Sequence, residues 1–149
     1  MDSAFSVECD VYKGVATTTA YIMDSAPELT LEEKTKRLLG MNSYRCLFDT
    51  GASHSAISKT VASTLTSKLD VISKVVSPNA VADTALYSVD ILLPNNVVLS
   101  NVIVSEIENP IDIIIGLDVI GLGDFALSSR NGHPFLSFSY PHRLVIDLE

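Results

Sequence analysis

The residues best placed to do chemistry form one run, Cys46-Leu47-Phe48-Asp49-Thr50-Gly51-Ala52-Ser53, in which an apolar strand delivers a single aspartate into a turn of small residues. Apolar surroundings raise the cost of ionising a carboxylate, so an aspartate at the end of a buried strand needs a partner that stabilises it. Gly51 lets a second backbone come close, and the Thr50 hydroxyl can hydrogen-bond to backbone across that approach. Taken alone, Asp49-Thr50-Gly51 is also an ordinary strand-ending turn. What sets it apart is a second block, Ile113-Ile114-Ile115-Gly116-Leu117-Asp118, which arrives after a hairpin-rich interval.

The elements that must hold these blocks read as short strands. Most segments are rich in Val, Ile, Leu and Thr and are separated by turn residues, the pattern of an all-β chain with little helix. Val15 to Met23 is a strand, and Thr30-Leu31-Glu32-Glu33 is a capping box that opens a short helix, Leu31 to Leu39, stopped at Gly40. Tyr44 to Asp49 is a nearly continuous apolar strand, as expected where both faces are covered. Val61, Leu65 and Leu69, spaced by four, allow a second short helix within Ser58 to Leu69. Tyr87 to Leu93 and Val97 to Val104 flank Pro94-Asn95-Asn96, whose asparagines tolerate the positive φ of a tight turn. Ile111 to Ile115 is a buried strand and Leu117 to Leu122 one helical turn. Phe125 to Ser128 and Phe135 to Ser139 form a last hairpin around Arg130-Asn131-Gly132.

Composition narrows the partners. The 149 residues carry 10 Lys+Arg against 18 Asp+Glu, a net charge of −8, with 47% hydrophobic and 19% charged residues. This is material for one folded domain spanning 1–149 rather than a disordered chain. The acid excess opposes nucleic acid and anionic membrane as partners, since both demand a basic face. A peptide or small molecule fits better. The apolar stretch from Ile111 to Leu127 is interrupted by Asp112, Asp118 and Asp124, which opposes a membrane span. The acidic start lacks the basic and apolar regions of a secretory signal, so a cytoplasmic location is expected. Cys9 and Cys46 are too few for a disulfide framework and too far apart for a CxxC motif; both are expected as buried or idle thiols.

The pairing of Leu47-Phe48-Asp49-Thr50-Gly51-Ala52-Ser53 with Ile113-Ile114-Ile115-Gly116 resembles the retropepsin-like aspartic peptidases, whose single-lobed members carry one Asp-Thr-Gly per chain. Leu122-Gly123-Asp124-Phe125-Ala126-Leu127 and the Asn131-Gly132 turn are similar to bacterial and phage-type members. The likeness covers roughly residues 44–140, and residues 1–43 remain unassigned. It implies a closed β-barrel with one or two short helices. It also implies Asp49 as catalytic aspartate, Thr50, Gly51, Ala52 and Ser53 as its supporting loop, and Ile114, Ile115 and Gly116 as a crossing strand. No metal or organic cofactor is implied.

Hydrolysis by this family's route uses two carboxylates sharing one proton around a water. No second Asp-Thr-Gly or Asp-Ser-Gly exists in the chain, because Asp83-Thr84-Ala85 and Asp124-Phe125-Ala126 lack the glycine. The resemblance therefore implies a homodimer acting as an endopeptidase on peptide or protein substrates, with the two Asp49 residues paired at the axis. Position in the chain nominates Val75 to Tyr87 as the flap over the cleft. Family flaps carry glycine at the tip, whereas Ser77-Pro78-Asn79-Ala80-Val81 has none. Pro78 and Asn79 suit a tight turn, but the missing glycine keeps open a different class of function, a dimeric peptide-binding module that does not cut. A third reading, a structural β-protein with a coincidental motif, predicts a monomer. Ile57, Val76, Val81 and Ile114 are expected as aliphatic pocket walls.

Other candidates carry less. His54 beside Ser55 could form a hydrolase pair, yet adjacent residues point apart and no Gly-x-Ser-x-Gly elbow occurs. His133 and His142 have no paired-ligand spacing for a metal, so surface or turn positions are expected. Asp90, Asp112 and Asp118 sit in or beside apolar strands and are expected in structural roles, Asp118 as a helix cap or in an ion pair. Lys59, Lys68 and Lys74 read as scattered solvated charges.

Overall fold

A ring of six strands, closed by hydrogen bonds all the way round, carries the Asp49 block and the crossing block side by side. The computed structural model describes residues 3–78 and 80–143. In chain order the strands of this ring are β3 (Val15–Asp24), β4 (Ser43–Phe48), β5 (Ala56–Ser58), β7 (Ala80–Leu93), β8 (Val97–Ile107) and β9 (Ile113–Ile115). They pair in the order β3-β4-β9-β5-β8-β7, and the β3–β7 ladder returns to the start. Two further strands, β2 (Asp10–Tyr12) and β6 (Lys68–Ser77), extend β3 and β7 outward. The result is the all-β closed barrel expected from the sequence.

A separate three-stranded sheet lies against it, with β11 (His133–Ser139) between β1 (Ala4–Glu8) and β10 (Asp124–Arg130). Four phenylalanines join this sheet to the barrel. Phe48, the last residue of β4, packs against Phe138 and Phe125 with ring centroids 5.2 and 6.0 Å apart and against Phe5 at 6.3 Å. Aromatic packing of this kind is worth more than area alone, and here it fixes the residue immediately before Asp49.

Helix α1 (Leu31–Leu39) has the bounds that its capping box implies. The Thr30 amide donates to Glu33 Oε2 at 2.7 Å and the Glu33 amide to Thr30 Oγ1 at 3.2 Å. Its inner face delivers Leu38 and, unexpectedly, Lys34 into the interior. Lys34 Nζ lies 3.0 Å from a carboxylate oxygen of Asp90, and the two side chains are 5% and 0% exposed. Asp90 also accepts from the amides of Ala26 (3.0 Å) and Asn101 (2.9 Å), so the carboxylate within β7 is fully paired, as its apolar setting demands.

Three expectations shift. The helix expected within Ser58 to Leu69 shrinks to α2 (Lys59–Ala62). Ser58 Oγ caps the Val61 amide, and the Ser63 and Thr64 hydroxyls donate back to the Thr60 and Val61 carbonyls and close the turn. Leu69 instead belongs to β6. The crossing strand begins at Ile113 rather than Ile111, because the backbone and carboxylate of Asp112 are taken by the amides of Ser58 and Arg45. Strands β1 and β2 occupy part of the unassigned region. The Pro94-Asn95-Asn96 turn appears as expected, with Asn95 and Asn96 at φ of 55° and 58°, and α3 (Leu117–Ile120) is the single helical turn after Gly116.

Candidate active site

Strand β4 ends by handing its hydrogen bonding to the crossing strand. It runs parallel to β9, with Cys46, Leu47 and Phe48 opposite Ile113, Ile114 and Ile115. The Asp49 amide then donates to the Ile115 carbonyl at 2.8 Å. On its other side β9 pairs antiparallel with β5. The loop from Asp49 to Ser55 thus bulges out between two strands while β9 runs through beneath it.

Within the loop the Gly51 amide donates to Asp49 Oδ1 at 2.9 Å and the Ala52 amide to the Asp49 carbonyl at 3.2 Å. Asp49 is half-buried, whereas Thr50, Gly51 and Ser53 are exposed. No other donor to the Asp49 carboxylate occurs among the described residues. Gly116 is a true close approach, since a Cβ there would lie 2.7 Å from the His54 carbonyl carbon and oxygen and 2.8 Å from the Ala52 carbonyl oxygen. One residue on, the Leu117 amide donates to that same Ala52 carbonyl at 2.8 Å. Asp49, Gly51 and Ala52 are thus joined by hydrogen bonds to one another and to Ile115 and Leu117, whereas the close backbone approach expected at Gly51 occurs at Gly116 instead, and Thr50 and Ser53 make no hydrogen bond among the described residues.

Ser55 and Asp118 fasten the end of the loop. Ser55, fully buried, donates from Oγ to Asp118 Oδ1 (2.8 Å) and from its amide to Oδ2 (3.0 Å), while Oγ accepts from the Gly116 amide (3.0 Å). Asp118 also accepts from the Val119 amide at 3.0 Å. Its role is structural, as expected, but the partner is the loop serine rather than a basic residue. Ser55 has no exposed surface from which to attack a substrate, and no hydrogen bond joins it to the exposed His54, so the two do not form a Ser–His pair.

Beside the loop opens a cleft of about 690 Å³. It is lined by Gly51 to Ala56, by Ile114 and Asp118, by Ile103, Ser105 and Ile107 of β8, and by Lys74 and Val76 of β6 with Leu86 of β7; Asp49 and Thr50 stand next to it and are not part of the lining. The hairpin of β6 and β7 borders it through Lys74, Val76 and Leu86. Its register pairs Ser77 with Ala80 and Val76 with Val81, which leaves Pro78 and Asn79 as the connection. Asn79 lies outside the described residues. Of the expected pocket walls, Val76 and Ile114 border the cleft. Ile57 does not, being a core residue 1% exposed; it sits in a strand paired on both sides and faces the barrel interior. Val81 is 61% exposed and is not part of the lining. Lys74, expected as a scattered solvated charge, borders the cleft.

The profile of the aspartyl protease family matches residues 35–119, which span both blocks. The chain belongs to the aspartyl protease family. A retropepsin-like aspartic protease from Rickettsia conorii has a similar structure, with a TM-score of 0.56 at 11% identity, over 93% of this chain and 96% of that one. The barrel of this family member is therefore the retropepsin-like fold. A search of curated protein sequences gives no match.

The two other histidines of this aspartyl protease family member do not line the cleft. His133 Nδ1 is 3.0 Å from Glu8 Oε1, and His142 Nδ1 contacts Asp124, both at the surface beside the three-stranded sheet. Cys9 and Cys46 are buried and free, and burial pushes both thiols up. No helix among the described residues is long and apolar enough to cross a membrane.

Proposed function

We propose that the chain is an aspartic endopeptidase assembled from two identical protomers, each contributing Asp49. The observation that carries this reading is the position of Asp49. It stands on an exposed loop held from below by β9 and beside a cleft of peptide dimensions, with one such loop per chain. The exposed tip, with the Thr50 hydroxyl unpaired among the described residues, suits contact with a second copy across a two-fold axis. One carboxylate would be ionised and take a proton from the attacking water, and the other, protonated, would polarise the scissile carbonyl. Collapse of the tetrahedral intermediate sends a proton to the leaving amine. An extended peptide would lie under the β6–β7 hairpin and hydrogen-bond to its backbone. The free, buried cysteines suit a reducing compartment, and we place its action in the cytoplasm on that ground.

The flap tip without glycine favours a second reading, a dimer that holds a peptide without cutting it. Incubation with a diverse peptide library from acidic to neutral pH separates the two, with Asp49→Asn as control. Cleavage by the parent and none by the variant is expected. Cleavage that survives in the variant removes Asp49 from the mechanism, and no cleavage by the parent favours the binding module.

A further inference from the structure

Both ends of the β6–β7 hairpin beside the cleft are tied to two consecutive residues, Asp24 at the end of β3 and Ser25 after it. Asp24, the last residue of that strand, accepts the Thr66 amide at 2.9 and 3.1 Å on its two oxygens, the Thr66 hydroxyl at 2.9 Å and the Ser67 amide at 2.7 Å. The Ser25 amide donates to the Ser88 carbonyl at 3.0 Å, and the Ser25 and Ser88 hydroxyls share a hydrogen bond of 2.7 Å. The Ser88 amide in turn donates to the Ser67 carbonyl at 3.4 Å. Thr66-Ser67 enters the hairpin and Ser88 leaves it. Beyond this root the ladder is irregular between Lys68 and Ile72, and Val71, Ile72, Val76 and Val81 are 61–76% exposed. Thr84 and Ala85 pack near the barrel, with the Thr84 hydroxyl donating to the Glu106 carbonyl, but the exposed part beyond them gains little from packing, so the root has a large share in its attitude.

A carboxylate that gathers three donors from two consecutive residues does more than fill a hydrogen-bonding need. The donors belong to the segment between α2 and β6, which is not itself in a strand ladder. Charge-assisted bonds are about twice as strong as neutral ones, and here they set the point where β6 departs from the barrel. We propose that Asp24, with Ser25, is the hinge anchor of the flap, positioning residues that fix how the β6–β7 hairpin stands over the Asp49 loop and hence how tightly a peptide is held. The proposal rests on the reading in which that hairpin closes on substrate.

Amide hydrogen exchange tests it without any need for cleavage. In Asp24→Asn the amides of residues 70–84 should exchange about tenfold faster, which is the loss of roughly one such bond, while those of β4 and β9 keep the parent's rates. Ser25→Ala should act in the same direction, and it carries the test if Asp24→Asn does not fold. Asp24→Glu, which keeps the charge, should recover part of the protection. On any peptide the parent cleaves, Asp24→Asn should raise KM about tenfold with kcat within about twofold, since closure rather than chemistry is affected. Unchanged flap exchange in both variants overturns the anchor. Equal acceleration across flap and barrel also overturns it, because Asp24 would then be an ordinary stabilising residue. If the parent cleaves nothing, the endopeptidase reading fails on its own test while the exchange result still decides the anchor.

Discussion

One residue holds the site in place sterically, and one buried ion pair holds the barrel together electrostatically. At Gly116 any side chain would collide with the carbonyls of Ala52 and His54 at 2.7–2.8 Å, and both are backbone atoms that cannot step aside cheaply. Gly116→Ala should cost about 1–3 kcal/mol, the usual range for overpacking, read as a lowered melting temperature. Its effect on cleavage should exceed its effect on stability, because the displaced backbone is the Asp49 loop and misplacement by about 1 Å can cost on the order of a hundredfold in rate. Lys34 and Asp90 make no bond to the loop and do not line the cleft, so they act on the fold. Lys34→Met leaves the Asp90 carboxylate buried with two amide donors and no cation, and denaturant unfolding should show a loss of about 3–5 kcal/mol. Replacing both residues with apolar ones of similar size should recover most of that loss. These roles differ in how visible they were. Gly116 stands in a recognisable block, whereas nothing around Lys34 in the chain announces a buried lysine, whose partner lies on a distant strand.

The same divide between local and distant causes runs through the elements. Helix α1 was legible to the residue because Thr30 and Glu33 cap each other across one turn, and the Pro94-Asn95-Asn96 turn was legible because its strain is borne by its own asparagines. The start of β6 was misread because Val61, Leu65 and Leu69 repeat with a helical period. Only pairing with β7 makes Leu69 a strand residue. Strand β1 was missed for a similar reason, since it exists through its register with β11 at the far end of the chain. The root of the flap was invisible too, as Asp24 meets Thr66 and Ser67 across a separation of 42–43 residues. Its electrostatics give a test with a definite sign. Burial pushes the Asp24 carboxyl up, but the donors of Ser67 and Thr66 outweigh it and hold the pKa below the ordinary carboxylate value. A group depressed on folding contributes stability in full above its unfolded pKa, about 3.9, and that stability is lost as pH falls through the folded value. Flap amide protection, measured relative to the barrel and corrected for intrinsic exchange, should hold from neutral pH to about pH 4 and fall below it. The difference between the parent and Asp24→Asn isolates this carboxylate from the others, and it should vanish at the acidic end.

In the proposed reading Asp49 supplies one of the two carboxylates that share a proton, so activity would belong to the assembly and not to the single chain. That requirement makes the dependence on concentration steep. Below the dissociation constant of the dimer, the rate per chain should fall in proportion to concentration, whereas a chain complete in itself would keep a constant rate per chain. Light scattering at the same concentrations should show the mass halving where the activity disappears. Mixing gives the sharper form of the test. Asp49→Asn changes a half-exposed side chain at the loop tip and leaves the phenylalanine cluster, the crossing strand and the Ser55–Asp118 link intact, so the variant should assemble with the parent as readily as the parent does with itself. After equilibration of equal amounts, random pairing leaves about one quarter of the dimers with two parental aspartates. The rate per parental chain should therefore drop to about half of its value without the variant, and continue down as more variant is added. Were each chain to work alone, the added variant would leave that rate untouched, and the carboxylate pair would have to be sought within a single barrel.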